Sequence, residues 1–196
     1  MGTFQPNPLV GFGILVGGVA LAALAADARL ALVALVAQYV GGAMVMAGLA
    51  PAVAWLHLAV GGLAALILYL GIRARPADGT ERALTLRLPF RLAALVLTLT
   101  AAGVLAVRWP LPYASDLTSL ACYALAAGFI AQMGLFREPA RAGMATLTLL
   151  IAASVFAQAA GGSLFLIGLL LAAHLLTGLA AGHLHSIRTA AQEGSE

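Results

Sequence analysis

Long apolar runs alternate with short polar breaks along almost the whole chain. Each run is close to the roughly 20 residues that an α-helix needs to cross the hydrocarbon of a bilayer. About seven such spans fill a chain of 196 residues. The pattern therefore predicts an all-α integral membrane protein with seven transmembrane helices. The predicted spans are residues 9–26, 30–49, 52–72, 92–107, 117–136, 142–160 and 163–181.

The longest polar break, residues 73–91, is rich in arginine. Charged segments stay out of hydrocarbon and short basic loops remain in the cytoplasm, so we expect a loop at the cytoplasmic membrane surface. Within it, Arg82, Arg87 and Arg91 are predicted to contact the phosphates of anionic lipid head groups. An ordinary solvated loop is the alternative.

The distribution of arginine along the chain predicts its orientation. With seven spans, one side of the membrane carries nine of the ten basic residues and the other side carries only Arg108. The positive-inside rule then places the N-terminus outside and the C-terminus in the cytoplasm, in a cell's inner membrane. The nine residues are Arg29, Arg73, Arg75, Arg82, Arg87, Arg91, Arg137, Arg141 and Arg188.

Composition agrees with a membrane protein, since 63% of residues are hydrophobic and 9% are charged. The net charge of +3 is explained by the basic loops, so it does not indicate binding to nucleic acid. Cys122 is the single cysteine of the sequence, which excludes an internal disulfide. The N-terminus lacks the basic segment of a cleaved signal peptide, so we expect the first apolar run to remain as a span.

Two parts of the chain share a layout that predicts an internal repeat. In residues 29–75 and again in 141–188, an arginine precedes an apolar span, a turn of small residues, a second span with one histidine, and another arginine. Residues 9–75 and 117–188 would then be parallel three-helix repeats joined by the linking helix 92–107. Chance similarity between apolar hairpins is the alternative. Residues 189–196 are predicted to be a polar tail.

Acidic residues and arginines are absent from the interior of every predicted span, so we expect no autonomous ion path. The polar residues at depth are Gln38, His57, Gln132, Gln158 and His174. Counting residues along each helix separates the two histidines by about 9 Å in depth, which argues against their ligating one haem. These side chains either hydrogen-bond neighbouring helices or form a hydrated polar relay.

Short motifs add little chemistry. The spacings Gly13/Gly17 and Gly178/Gly182 predict faces at which helices approach closely. We find no phosphate loop, no Cys/His metal set and no Ser-His-Asp set, so we expect no catalytic residue, metal or cofactor.

The layout resembles the small K-type subunit of respiratory complex I and, in duplicated form, the E component of hydrogenase-4-type complexes. The resemblance rests on three stretches: Asp27-Ala-Arg29 leading into Ala37-Gln38, Arg73-Ala-Arg75-Pro76, and Arg137-Glu-Pro-Ala-Arg141 leading into the sixth span. It implies an accessory membrane subunit of a proton- or cation-translocating assembly, packed beside antiporter-like subunits and not catalytic alone.

One departure from that family affects the expected role. K-type subunits carry membrane-embedded glutamates, whereas this chain has none in its spans, so the resemblance implies packing instead of conduction. The alternative is a stand-alone transporter of a small solute, with its site at the repeat interface near Gln38 and His174. A small membrane enzyme is a third class, for which no nucleophile–base pair is visible.

Overall fold

A computed structural model describes residues 7–74, 88–136 and 138–193 of the chain. In these ranges the chain forms seven α-helices and no strands. The helices are α1 (Pro8–Leu24), α2 (Ala28–Ala47), α3 (Pro51–Ala74), α4 (Leu88–Arg108), α5 (Asp116–Leu135), α6 (Pro139–Ala159) and α7 (Leu164–Glu193). Arg82 and Arg87 lie outside the described residues.

Six of these helices, α2 to α7, are long and apolar enough to cross a bilayer. Helix α1 has 17 residues and is a shorter apolar helix. Large apolar side chains are exposed on the outside of the bundle, including Trp55 on α3, Leu97 and Val107 on α4, and Leu176 on α7. Such a surface suits a bilayer, because apolar side chains that contact lipid tails are not exposed to water. The prediction of a multi-pass, all-α membrane protein is confirmed.

The described helices are arranged as two layers. Helices α1, α2 and α3 pack side by side, and α5, α6 and α7 do the same. The layers face each other, so that α1 contacts α5, α2 contacts α6 and α3 contacts α7. Helix α4 lies at one edge, against α5 and α1. The side chains that face the opposite layer therefore meet in the middle of the protein.

Polar side chains and prolines set the helix starts. The side chain of Asn7 accepts a hydrogen bond from Leu9 N–H at the start of α1, and Asp27 caps α2 by accepting from Arg29 N–H. Ser115 caps α5 in the same way. These oxygens satisfy N–H groups that have no partner within the first turn. The polar breaks in the sequence therefore become caps between consecutive helices.

Two predicted boundaries need correction. Helix α4 begins at Leu88 and not at residue 92, because Pro89 is tolerated in a first helical turn and Arg91 is turned into the bundle. The shortest helix of the described chain is therefore α1, and not the linking helix. Helix α7 continues to Glu193, well past the predicted end at residue 181, so residues 189–193 of the predicted polar tail are helical.

The two glycine pairs behave differently. Gly178 approaches the backbone of Ala64 and Gly182 approaches Ile67, so this pair forms a close contact between α7 and α3, as predicted. A Cβ at Gly13 or Gly17 would meet open space, so that prediction is wrong. Helix α1 instead meets α2 through other glycines that face the partner helix, Gly11 and Gly18.

Candidate functional site

Buried polar side chains from both layers converge in the middle of the protein. Gln38, His57, Gln132 and His174 are all buried, and the sequence had singled out each of them. The acidic residues of the described chain lie at helix ends: Asp27, Asp116, Glu138 and Glu193. The polar core of the described part is therefore built from neutral or protonatable groups, without a carboxylate.

One half of this core is a hydrogen-bonded chain across three helices. Thr148 Oγ1 on α6 lies 2.7 Å from Gln38 Oε1 on α2 and donates to it. Gln132 Nε2 on α5 donates to the same hydroxyl at 3.4 Å. Thr148 Oγ1 also lies 3.0 Å from the Met144 carbonyl of its own helix. The Gln38–Thr148–Gln132 chain thus joins the two layers at one level.

The other half is an aromatic triad formed by Tyr39, His57 and His174. The two imidazoles meet edge to face with ring centroids 5.3 Å apart. The Tyr39 ring lies 5.2 Å from His57 and 5.6 Å from His174. His174 Nδ1 is 2.7 Å from the Leu170 carbonyl, which can only accept, so Nδ1 carries the proton and Nε2 is left as an acceptor.

The triad corrects the predicted depths of the histidines. The rings of His57 and His174 are in contact, so the expected offset of about 9 Å is wrong. The contacts of Gly178 with Ala64 and of Gly182 with Ile67 place the starts of α3 and α7 at nearly one level, so the axial offset is not removed by a shift of either helix. The imidazoles meet because residue counting places only the Cα atoms, and the two side chains reach across the remaining offset. A haem held by both imidazoles would need its porphyrin between them, and the edge-to-face contact leaves no such gap.

Gln158 lies at the edge of the aromatic triad and takes no part in either set of contacts. It is on the last turn of α6, where it lines a small cavity together with His57 and Ser154. Among the five polar residues predicted from the sequence, the structure therefore brings Gln38 and Gln132 into one group, His57 and His174 into a second, and Gln158 to the edge of the second.

Arg91 is placed differently from the prediction that it contacts lipid phosphate. Its side chain is only 3% exposed, and Nη1 lies within 3.4 Å of the Leu24 and Ala25 carbonyls. The guanidinium also lies 5.0 Å from the centre of the Phe136 ring. These carbonyls end α1 and carry the negative end of its dipole, so they attract a cation into the bundle and away from the lipid.

Arg141 completes this arrangement from α6. It is also 3% exposed, and it donates to the Ala25 carbonyl at 2.9 Å and to the Ala22 carbonyl at 3.4 Å. Its guanidinium lies 4.4 Å from the centre of the same Phe136 ring. We call Arg91, Phe136 and Arg141 the arginine clamp. It fastens the end of α1 to the starts of α4 and α6.

Sequence reasoning missed Tyr39, Thr148 and Phe136. Both aromatic residues lie within apolar runs of the sequence, although an aromatic ring is also a partner for imidazole and guanidinium groups. A signal for Thr148 was present, because it lies two helical turns from Arg141 and therefore on the same face of α6. In the described ranges, no group of three metal-ligating side chains could hold a metal ion.

Fold and site together define a multi-pass helical membrane protein whose two layers are joined by a buried polar core. No protein-family model matches the chain, and no curated protein or solved structure is significantly similar to it.

Replacing Thr148 by valine is expected to destabilise the bundle by about 1 kcal/mol, because the side chains of Gln38 and Gln132 lose their shared partner inside the membrane. The matched control is Thr146→Val, since Thr146 Oγ1 donates to the Ala142 carbonyl of its own helix. Unfolding can be followed with a thiol-reactive dye, because Cys122 is the single cysteine and is buried. Equal thermal midpoints for the two variants would contradict the assigned role of Thr148.

Proposed function

We propose that the chain is an accessory membrane subunit of a complex I-like or hydrogenase-4-like assembly that translocates protons or cations. In this role it packs beside antiporter-like subunits in a cell's inner membrane and does not catalyse a reaction alone. Arg82 and Arg87 remain proposed contacts of anionic lipid head groups.

The observation that carries this proposal is that the buried polar groups connect helices to one another. The Gln38–Thr148–Gln132 chain connects helices of both layers, and the aromatic triad is in direct ring contact. The cavity next to the triad has room for about one water molecule. These groups therefore hold helices together, and the cavity beside the triad is too small for a solute. That use supports a packing role.

The number of spans, their orientation and the internal repeat belong to the same proposal. We propose that α1 also spans the membrane, which makes seven spans, and that the N-terminus is outside and the C-terminus in the cytoplasm. The contacts of α1 with α5, α2 with α6 and α3 with α7 support two parallel three-helix repeats, with α4 as the linking helix. The repeat itself stays a prediction.

Reporter accessibility tests the topology. A membrane-impermeant label is expected to react with a cysteine introduced at Gly2 in intact cells, and with one at Ser195 only after the membrane is opened. Because native Cys122 is buried, it gives little background. Labelling of both ends from the same side would contradict seven spans, since an odd number of crossings separates the termini.

Purification in mild detergent tests the assembly. We expect the tagged chain, produced at its native level, to elute together with long multispan antiporter-like chains at a fixed molar ratio. Mass spectrometry identifies the partners, and Thr146→Val is a control because it should leave the ratio unchanged. A chain that elutes alone, or with itself only, contradicts the proposal.

A stand-alone transporter of a small solute is the second candidate. One observation favours it: Gln38 and His174 both lie where the two layers meet, which is the position expected for a site at a repeat interface. Uptake into vesicles that contain this chain alone, abolished by His174→Ala and retained in Thr146→Val, would replace the first proposal by this one.

A further inference from the structure

A small cavity lies between the layers, beside the aromatic triad. Its lining includes Met46 and Val53 from the first layer, Leu170 from α7, and the polar side chains of His57, Ser154 and Gln158. The space open to the centre of a water molecule is about 10 Å³. This is close to the smallest volume that holds one water inside a protein.

Three polar atoms of the lining side chains are buried and have no hydrogen-bond partner among the described residues. They are His57 Nε2, Ser154 Oγ and Gln158 Nε2. Ser154 and Gln158 are one helical turn apart on α6, so they lie on one face, while His57 comes from α3. Buried polar atoms in proteins are almost always satisfied by protein groups or by ordered water.

We propose that His57, Ser154 and Gln158 form a binding site for a single water molecule, which joins α3 to α6. Water can donate one hydrogen bond and accept another at the same time, which suits an amide N–H, a hydroxyl and an imidazole nitrogen. Three partners is also the usual number for a buried water. The site does not depend on the proposed function, because it needs no partner subunit.

A buried isoleucine lies next to the site on α6. Ile151, fully buried, lies about one turn from Ser154 on α6. Ile151 Cγ2 and His57 Nε2 both approach Gly42 of α2. A Cβ added to this glycine would lie 3.0 Å from the first atom and 3.9 Å from the second. Along α6, Ile151 lies between Ser154 of the cavity and Thr148 of the Gln38–Thr148–Gln132 chain, about one turn from each.

Solid-state NMR of the full chain in lipid bilayers, with ¹⁵N-labelled histidine, tests the site directly. Magnetisation from water protons is expected to reach His57 Nε2, as it does at the exposed His183, while His174 Nε2 stays weak because His174 does not line the cavity. Signals are assigned with His57→Phe and His174→Phe. Absence of transfer to His57, or equal transfer to His57 and His174, would overturn the proposal.

Two substitutions at Ser154 give an independent measurement. In Ser154→Val the added methyl groups occupy the space of the water and leave His57 and Gln158 without it, so the thermal midpoint should fall by about 3–6 °C. Ser154→Ala keeps the space and should cause a smaller fall. If the cavity held no water, valine would fill it and stabilise the protein. A rise in the thermal midpoint of Ser154→Val would therefore overturn the proposal. If the valine variant does not fold, the NMR measurement on the wild-type chain decides.

Discussion

Replacing Arg141 by methionine is expected to lower the free energy of unfolding by about 3 kcal/mol. Methionine retains most of the length of the side chain, so the change removes the charge and the hydrogen bonds and leaves the packing nearly intact. The Ala22 and Ala25 carbonyls then lose the donors that Arg141 supplies, inside a bundle with little water. The contact with the Phe136 ring is lost as well.

Thermal unfolding followed through Cys122 measures this effect, with Arg29→Met as the control. Arg29 belongs to the same end of the bundle, but its side chain is exposed, so its loss should change the midpoint little. A fall of several degrees for Arg141→Met and a negligible one for Arg29→Met is expected. Similar midpoints for the two variants would show that the clamp does not stabilise α1.

Adding a single methyl group at Gly61 is also expected to destabilise the bundle. A Cβ at this position would overlap the ring of Tyr39, which lies directly on the glycine. In Gly61→Ala the ring must therefore move, and moving it also disturbs its contacts with His57 and His174. Overpacking of this kind costs about 1–3 kcal/mol, although alanine is the better helix former.

The neighbouring residue provides a matched control. A Cβ at Gly62 meets nothing within 4 Å, so Gly62→Ala should leave the thermal midpoint unchanged or raise it slightly. Combining Gly61→Ala with Tyr39→Leu removes the overlapping ring and should recover part of the loss. If Gly61→Ala is as stable as Gly62→Ala, the close packing of Tyr39 on α3 is not required.

Helix existence and class could be predicted from the sequence because they depend on local composition. Runs of about 20 apolar residues indicate membrane helices regardless of their neighbours. The helix whose start differed most was α4, whose first turn includes Pro89 and Arg91. An arginine near a helix end is normally read as marking the membrane surface. Only the position of the α1 carbonyls, distant in sequence, shows that Arg91 turns inward.

The candidate site was predictable in its members but not in its geometry. Glutamine and histidine within apolar runs are conspicuous, which is why Gln38, His57 and His174 were selected. Their pairing depends on the direction in which each side chain turns and on how far it reaches, whereas residue counting places only the Cα atoms. Tyr39 is inconspicuous in a helical run, and the spacing from Arg141 indicates only the face on which Thr148 lies. Their partners became visible only from the packing of α2 against α6 and α3.

The arginine clamp has a consequence for the order in which the protein can mature during synthesis. The Ala22 and Ala25 carbonyls at the end of α1 are satisfied by Arg141, which lies as many as 119 residues later in the chain. When α1 leaves the ribosome, neither Arg91 nor Arg141 has yet been synthesised. Water or polar groups of the insertion machinery must therefore donate hydrogen bonds to these carbonyls. The contacts that fix the end of α1 are therefore completed only after α6 has been translated. Docking of α1 is then a late step in the assembly of the protein, although α1 is the first helix synthesised.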